Sequence, residues 1–364
     1  MNTESLKICF FNSAKTWGGG EKWHLETALF LRDQGHEVTV FTNRNSELCK
    51  RAEAAGLHTL QTRITNLSFI NPLKMKELTF QFGQMQFDMI IINLSADLKA
   101  AGMAAKRAGV KRIVYRRGSA IPVKNSFLNR YLYHRVITEI IANSEATKRT
   151  LLVNNSKLFP EERITVIYNG LDFASYPPLP EAPRHQEVII GNLGRLVTQK
   201  GQDMLLKMAR ELLDQQVRFR LVIGGDGPLL DKLKQEVNRL GLHDVVEFKG
   251  FIADVPAFMQ SLDIFVLPSH WEGFGYVIAE AMYYSKPVVA FNISSNGELI
   301  ENNQSGFLVD YPNVNLLAEK TVLLISNEKL RHEMGRAGRK IVEEKFSMHV
   351  AREKLDRFIA GGNI

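Results

Sequence analysis

Several things are scarce in this chain, and each scarcity excludes a class of protein. Only two of 364 residues are cysteine, Cys9 and Cys49. Two cysteines make no disulfide framework, and no Cys/His cluster has the spacing of a zinc site. No stretch approaches the roughly 18 consecutive apolar residues that a membrane span needs. The first residues hold Glu4 and only a strand-length apolar run, Ile8 to Phe11, so no secretory leader is expected. A reduced, cytoplasmic protein without structural metal follows as the expectation.

Two further absences concern ligands. The glycine run Gly18-Gly19-Gly20 sits where a dinucleotide fingerprint would begin, but Trp23 occupies the position of its last glycine. The second predicted strand ends in Thr42-Asn43-Arg44, with no carboxylate for a dinucleotide ribose. Together these argue against an NAD(H) enzyme. The basic residues also come without a nucleic-acid motif or an aromatic platform, so nucleic acid is not expected as a partner.

What is present describes a two-domain α/β protein. A chain of this length exceeds one typical core, and 45% hydrophobic with 23% charged residues is ordinary globular composition. Strands are predicted near 6–12, 37–42, 57–62, 88–93, 111–116, 139–143 and 164–168. Helical patterns alternate with them, as at Glu21–Gln34 and Ala96–Ala108. Met89-Ile90-Ile91-Ile92 is apolar on both faces, as a central parallel strand must be. Four prolines between Pro177 and Pro183 then forbid helix and ladder alike and mark a linker at 177–186. The alternation restarts with strands near 187–193, 218–224, 245–249, 263–268, 288–292 and 306–309, followed by a helical tail from Val314 to Ile359. The expected division is an N-terminal domain at 1–176, a C-terminal domain at 187–345, and a final helix at 346–364 that crosses back to the first domain.

Charge is distributed unevenly. Residues 1–180 carry 24 Lys/Arg against 15 Asp/Glu, whereas residues 181–364 carry 22 against 24. Twelve of the basic side chains fall between Lys99 and Arg149. Such a half suits an anionic partner, either a phosphorylated acceptor or a membrane surface, or is a solvated face with no partner. Within it, Asn125 to Thr138 reads as a basic helix with Phe127, Leu128, Tyr131, Leu132 and Val136 on one stripe. That stripe either packs into the core or lies on an anionic membrane.

The motifs gather at strand ends. Phe265-Val266-Leu267 runs into Pro268-Ser269-His270-Trp271-Glu272-Gly273-Phe274-Gly275, and a helix is expected from about Phe274 through Tyr276, Val277 and Glu280. Glu272 and Glu280 are eight positions apart, one in the turn and one about two helical turns along, so both can face one ligand over the helix start. The unpaired N–H groups there suit phosphate. Earlier, Arg195 and Lys200 flank the turn after strand 187–193, as a diphosphate clamp would. Gly224-Gly225-Asp226-Gly227-Pro228 is a turn that lets backbone approach closely, for packing or for a ligand.

This order of features resembles the family 4 retaining glycosyltransferases, also described as glycosyl transferases group 1: Gly18–Gly20, Asn169-Gly170-Leu171-Asp172, Arg195/Lys200, Gly224–Pro228 and Glu272/Glu280. The resemblance implies the GT-B fold, an α/β architecture of two facing Rossmann-like, doubly wound domains. It implies transfer of a sugar from a nucleoside diphosphate sugar to an acceptor hydroxyl, with retention at the anomeric carbon. No bound metal or cofactor is implied, which agrees with the lack of a D-x-D motif in any strand-end loop. Arg195, Lys200 and Glu272 are the implied catalytic residues. Donor binding falls to Gly18, Gly19, Gly20, Gly225, Gly273, Phe274, Gly275, Tyr276, Val277 and Glu280, with Phe251 and Ile252 at the nucleobase. UDP, GDP and ADP donors remain open.

In the first half, Trp17, Lys22, Arg116 and Arg117 are acceptor-side candidates. Many family members have a histidine near the strand end where this chain has Arg116-Arg117, a departure that places two cations there. They either hold an anionic acceptor or bind the donor phosphate or a structural carboxylate. The expected partners are a nucleotide sugar and a saccharide or lipid-linked acceptor in cell-surface polysaccharide or lipopolysaccharide synthesis. Work at the inner face of the cytoplasmic membrane would fit that acceptor. A non-hydrolysing sugar-nucleotide epimerase and a non-catalytic binding protein of the same fold are the competing readings.

Overall fold

The computed structural model describes residues 5–177 and 187–362. The chain forms two compact units, one of residues up to Ile167 together with those from Leu355, the other Tyr168–Lys354. The expected linker at 177–186 lies, apart from Pro177, outside the described residues.

The first unit is built on a seven-stranded parallel sheet. Its strands are β1 (Lys7–Asn12), β2 (Glu37–Asn43), β3 (His58–Thr62), β4 (Met89–Ile92), β5 (Arg112–Arg117), β6 (Glu139–Ala142) and β7 (Ile164–Val166). Their order across the sheet is β3-β2-β1-β4-β5-β6-β7. Alternation decides which face each side chain serves. Cys9 and Phe11 of β1 join one core layer with Ile90 and Ile92, while Ile8 and Phe10 join the opposite layer with Met89 and Ile91. Helices cover both faces, which is why β4 is apolar throughout.

Two helical segments of this unit depart from regularity. The expected helix Ala96–Ala108 is divided by a π-helical turn at Leu98–Gly102. The expected helix Asn125–Thr138 is an α-helical turn at Phe127–Tyr131 followed by a π-helical turn at Leu132–Val136. The apolar stripe of the latter divides accordingly. Leu132 and Val136 are buried in the core, whereas Phe127 and Tyr131 face solvent.

The second unit repeats the plan with six parallel strands: β8 (Val188–Leu193), β9 (Phe219–Gly224), β10 (Val246–Gly250), β11 (Ile264–Leu267), β12 (Val288–Phe291) and β13 (Gly306–Val309). Their order is β10-β9-β8-β11-β12-β13. In each unit the chain steps outward to one side, then returns to the centre and steps outward to the other. The reversal point lies between β1 and β4 in the first unit and between β8 and β11 in the second. Ligands of such sheets bind outside the carboxyl ends of the strands at this reversal.

Residues 168–176 were expected with the first half. They instead pack in the second unit, where Phe173 stacks on Tyr283 at 4.4 Å and Tyr168 meets Phe346 edge-on. The last helix, Met348–Ile359, ends in the first unit, with Leu355, Phe358 and Ile359 in the core layer of Ile8 and Phe10. Arg112 donates to the backbone oxygens of Ile359 and Phe358 at that helix end and pairs with Glu139 at 2.8 Å. The orphan carbonyls of a helix C-terminus accept such a cation readily.

Candidate active site

In the second unit the two loops at the reversal point are Gly194–Gly201, after β8, and Pro268–Gly275, after β11. One backbone and one side-chain hydrogen bond tie them together: His270 N–H donates to Gln199 O at 2.8 Å, and the Gln199 side-chain Nε2 donates to Trp271 O at 2.9 Å. Gly201 sits at φ +65°, and a Cβ there would fall 2.0 Å from Pro268 O. Only glycine allows the two loops to approach this closely.

That approach joins two residues 72 positions apart in sequence. Lys200 Nζ lies 2.6 Å from Glu272 Oε1 in an ion pair that is largely out of solvent. Glu272 is 5% exposed and takes a second hydrogen bond, also on Oε1, from Ser269 Oγ at 2.7 Å. The lysine is therefore positioned by the carboxylate rather than free to swing. Arg195 differs: it is exposed, and its guanidinium makes no hydrogen bond or ion pair among the described residues. One cation is fixed and one is available, both on the same strand-to-helix turn.

The helix after the second loop runs Tyr276–Tyr283, with Gly275 as N-cap at φ +89°. It starts two residues later than the expected Phe274. The reason is packing. Phe274 is buried, with its ring against Tyr168, Tyr276 and Phe346, so its side chain belongs to the core and only its backbone faces the loop. Gly273, on the other side of Phe274, and Val277, in the first helical turn, are half-buried. Glu280 is half-buried, and Tyr176 Oη donates to its Oε1 at 3.5 Å. Eight residues of spacing thus place Glu272 in the buried pair and Glu280 on the helix.

Gly225 closes the neighbouring loop after β9. It has φ +125°, and a Cβ there would lie 1.9 Å from Gly194 O. Phe251 and Ile252, after β10, line a cleft of about 410 Å³ with Val222, Phe258, Arg220 and Lys249. Among the described residues Phe251 is the most exposed large apolar side chain of this unit.

The first unit treats its reversal point differently. Gly18 is the N-cap of helix Gly19–Asp33 in extended conformation, and a Cβ on Gly20 would fall 2.6 Å from Asn93 Nδ2. Trp17 is half-buried beneath the Arg51 guanidinium, 4.4 Å from the ring centroid. Lys22 lies 3.8 Å from Glu26. Arg116 is buried, donates to Asn93 Oδ1 at 3.1 Å and stacks on the Trp23 ring at 4.8 Å. Arg117 is half-buried and donates to Ile121 O.

Beside these lies a polar cluster that sequence reasoning missed. Asp97 is fully buried and accepts from Ser13 N–H at 2.9 Å and from Ser13 Oγ at 2.5 Å. Asn12 Nδ2 donates to buried Glu21, and Asn43 Nδ2 donates to Ser13 O. Burial pushes the Asp97 carboxyl up to about 7; the two bonds from Ser13 pull it down, and the charge of Glu21 adds to the rise. His24 is also fully buried, and neither ring nitrogen has a hydrogen-bond partner among the described residues. Burial, and then the charge of Arg116, hold its imidazole well below the usual range. Among the described residues no three His, Cys, Asp or Glu side chains are grouped to hold a metal ion, and no helix is long and apolar enough to cross a membrane.

Two doubly wound parallel sheets with cations and carboxylates at the reversal of the second define the GT-B class of sugar-transfer folds. Comparison with known proteins agrees. Residues 17–175 match the family "Glycosyltransferase Family 4", and residues 180–341 match "Glycosyl transferases group 1". The chain belongs to these glycosyltransferases. It is 31% identical over 231 residues to the capsular polysaccharide biosynthesis glycosyltransferase CapM of Staphylococcus aureus. That match covers 60% of each chain, so under two thirds of this relative's length is spanned. An uncharacterised glycosyltransferase of Haemophilus influenzae is 27% identical over 93% of this chain and 96% of its own. Among solved structures, Anabaena HepE in complex with UDP and glucose superposes with a TM-score of 0.83 at 25% identity, covering 98% of this chain and all of that one.

Proposed function

We propose that this chain is a retaining, metal-independent glycosyltransferase that moves a sugar from a nucleoside diphosphate sugar to a saccharide or lipid-linked acceptor. The observation that carries the proposal is the buried Lys200–Glu272 pair beside exposed Arg195 at the reversal point of the second sheet. As the bond between the anomeric carbon and the diphosphate breaks, negative charge grows on the departing phosphate. A fixed Lys200 and an exposed Arg195 stabilise that charge without a divalent ion. Glu272 spends Oε1 on Lys200 and Ser269, which leaves Oε2 for a sugar hydroxyl or for the positive charge that develops at the anomeric carbon. Glu280 accepts the ribose hydroxyls. The acceptor oxygen forms its new bond on the face the diphosphate leaves, and its proton passes to a phosphate oxygen, so no protein nucleophile is needed.

The name of CapM concerns capsular polysaccharide, and that supports a role in cell-surface polysaccharide assembly. The ligands of HepE support UDP as the first nucleotide to try. The first experiment is calorimetric titration with UDP, GDP and ADP in the presence of a chelator, followed by transfer from the matching nucleotide sugars and assignment of the product anomer. Selective binding of one nucleotide and a product that keeps the donor's anomeric configuration are expected. Inverted product, an absolute need for divalent metal, or conversion of the nucleotide sugar without an acceptor would each overturn the reading.

A further inference from the structure

Large apolar side chains are exposed very unequally. Among the described residues eleven such side chains are exposed, and eight of them lie in the first unit. Helix Pro72–Met85 shows why this is not ordinary scatter. Asn71 caps it, accepting from Leu73 and Lys74 N–H, and a proline occupies its first turn. Its inner stripe, Met75, Leu78 and Phe82, is buried in the core. Its outer face carries a second apolar pair, Leu73 at 78% and Phe80 at 66% exposure, seven positions apart and separated by exposed Lys76. An exposed helix face ordinarily carries polar residues, so a second apolar stripe calls for a partner.

The turn leading into this helix adds Leu67 and Ile70, both more than 60% exposed. This turn follows β3. After β4, the π-helical turn Leu98–Gly102 packs against it, and Lys99 Nζ lies 5.9 Å from the Phe69 ring centroid. The same π-helical turn packs on Leu132–Val136, whose preceding turn exposes Phe127 at 79%. The apolar positions thus sit on neighbouring segments of one helix layer. Exposed Lys76 lies on the helix between Leu73 and Phe80, Lys99 lies on the π-helical turn, and exposed Lys124 and Arg130 lie three residues either side of Phe127 in sequence. Glu77 is the one acidic residue between 63 and 80, and Lys74 pairs with it. Apolar side chains interleaved with cations fit a surface that is oily below and negative above, as an anionic bilayer is.

We infer that the outer face of helix Pro72–Met85 and its entry turn, with the Phe127 turn beside it, dock the protein on an anionic phospholipid bilayer. The purpose rests on the proposed lipid-linked or surface-polysaccharide acceptor, but the residues do not, and binding is measured without any sugar. The full chain is sedimented with vesicles of phosphatidylglycerol and phosphatidylcholine in roughly equal parts, and with vesicles of phosphatidylcholine alone. Binding to the anionic vesicles is expected, falling as salt screens the cations. Replacing Leu67, Ile70, Leu73 and Phe80 together by Ser should lower the partition coefficient roughly tenfold or more, since each exposed chain loses apolar contact. These positions are on the surface, so nucleotide titration of the same variant should be unchanged and reports that it is folded. Reversing Lys76 and Lys124 to Glu should remove the salt-dependent part. Equal binding by the Ser variant, absence of binding to anionic vesicles at low salt, or a dimer that the Ser variant dissolves would each overturn the inference. Loss of nucleotide binding in the wild type would overturn the transferase reading alone.

Discussion

The two units share one strand order and differ in what they place at its reversal. In the second unit the charged side chains stand at the ends of loops that touch through backbone, so Arg195 reaches solvent and Lys200 leans on Glu272. In the first unit the corresponding charges are folded inward: Asp97, Glu21, His24 and Arg116 are all buried, and the loop from Asn12 to Ala14 is held by Asp97, Glu21 and Asn43. The same topology thus supports two uses of charge. An exposed or paired cation near a helix start can bind a phosphate at small cost. A buried carboxyl or imidazole must first meet the penalty of leaving water, and it does so by shifting its protonation.

The contrast can be broken most directly at Lys200. Lys200→Ala removes the positioned cation and leaves Glu272 buried without its partner. We expect kcat to fall by roughly 10²–10³, with stability lowered by about 3 kcal/mol, read by steady-state kinetics and by urea unfolding. Lys200→Ala with unchanged turnover would remove the lysine from the mechanism.

A smaller effect is expected at Asp97, and it concerns pH. The folded-state carboxyl holds its proton up to about pH 7, whereas the unfolded chain releases it near the ordinary value of 3.8. Between those values the folded state binds more protons, so stability falls as pH rises through the window and levels off above about 7. Asp97→Asn mimics the protonated form and should flatten that dependence, by roughly 2–4 kcal/mol between its ends. Parallel pH curves for the two proteins would show that Asp97 is ionised throughout.

The smallest change in stability is expected at Arg195. Arg195→Ala should leave the unfolding midpoint unchanged to within about 0.5 kcal/mol, as at other exposed positions. It should still lower kcat by roughly tenfold. A clear loss of stability would mean that Arg195 is a structural residue like Arg112.

Much of this was legible along the chain. Most of the described strands announced themselves as short apolar runs bounded by turn residues, although His58–Thr62 is largely polar, and the restart of the alternation after residue 187 revealed the second sheet. Arg195, Lys200 and Glu272 drew notice because they lie in loops after parallel strands, and Glu280 because it lies on the helix that follows; the roles assigned to them came from the family resemblance. Other features carried no local signal. Nothing near Ser13 indicates Asp97, which is 84 positions away, and the helical pattern around Leu98 does not reveal a π-helical turn. The helix was expected from about Phe274, but aromatic contacts take that side chain into the core and the helix begins at Tyr276.

The sequence by itself determined the alternation, the turn chemistry and the type of side chain offered at each strand end, because these depend on neighbours a few residues apart. Tertiary structure decided which of the offered charges meet. It set Lys200 2.6 Å from Glu272 across 72 residues, since Gly201 admits the backbone of Pro268. It buried Asp97 against Ser13 and left a second apolar stripe of helix Pro72–Met85 in solvent. Burial, and with it the cost or benefit of every charge and every exposed apolar group, is a property of the packed sheet and its helices, and no stretch of sequence contains it alone.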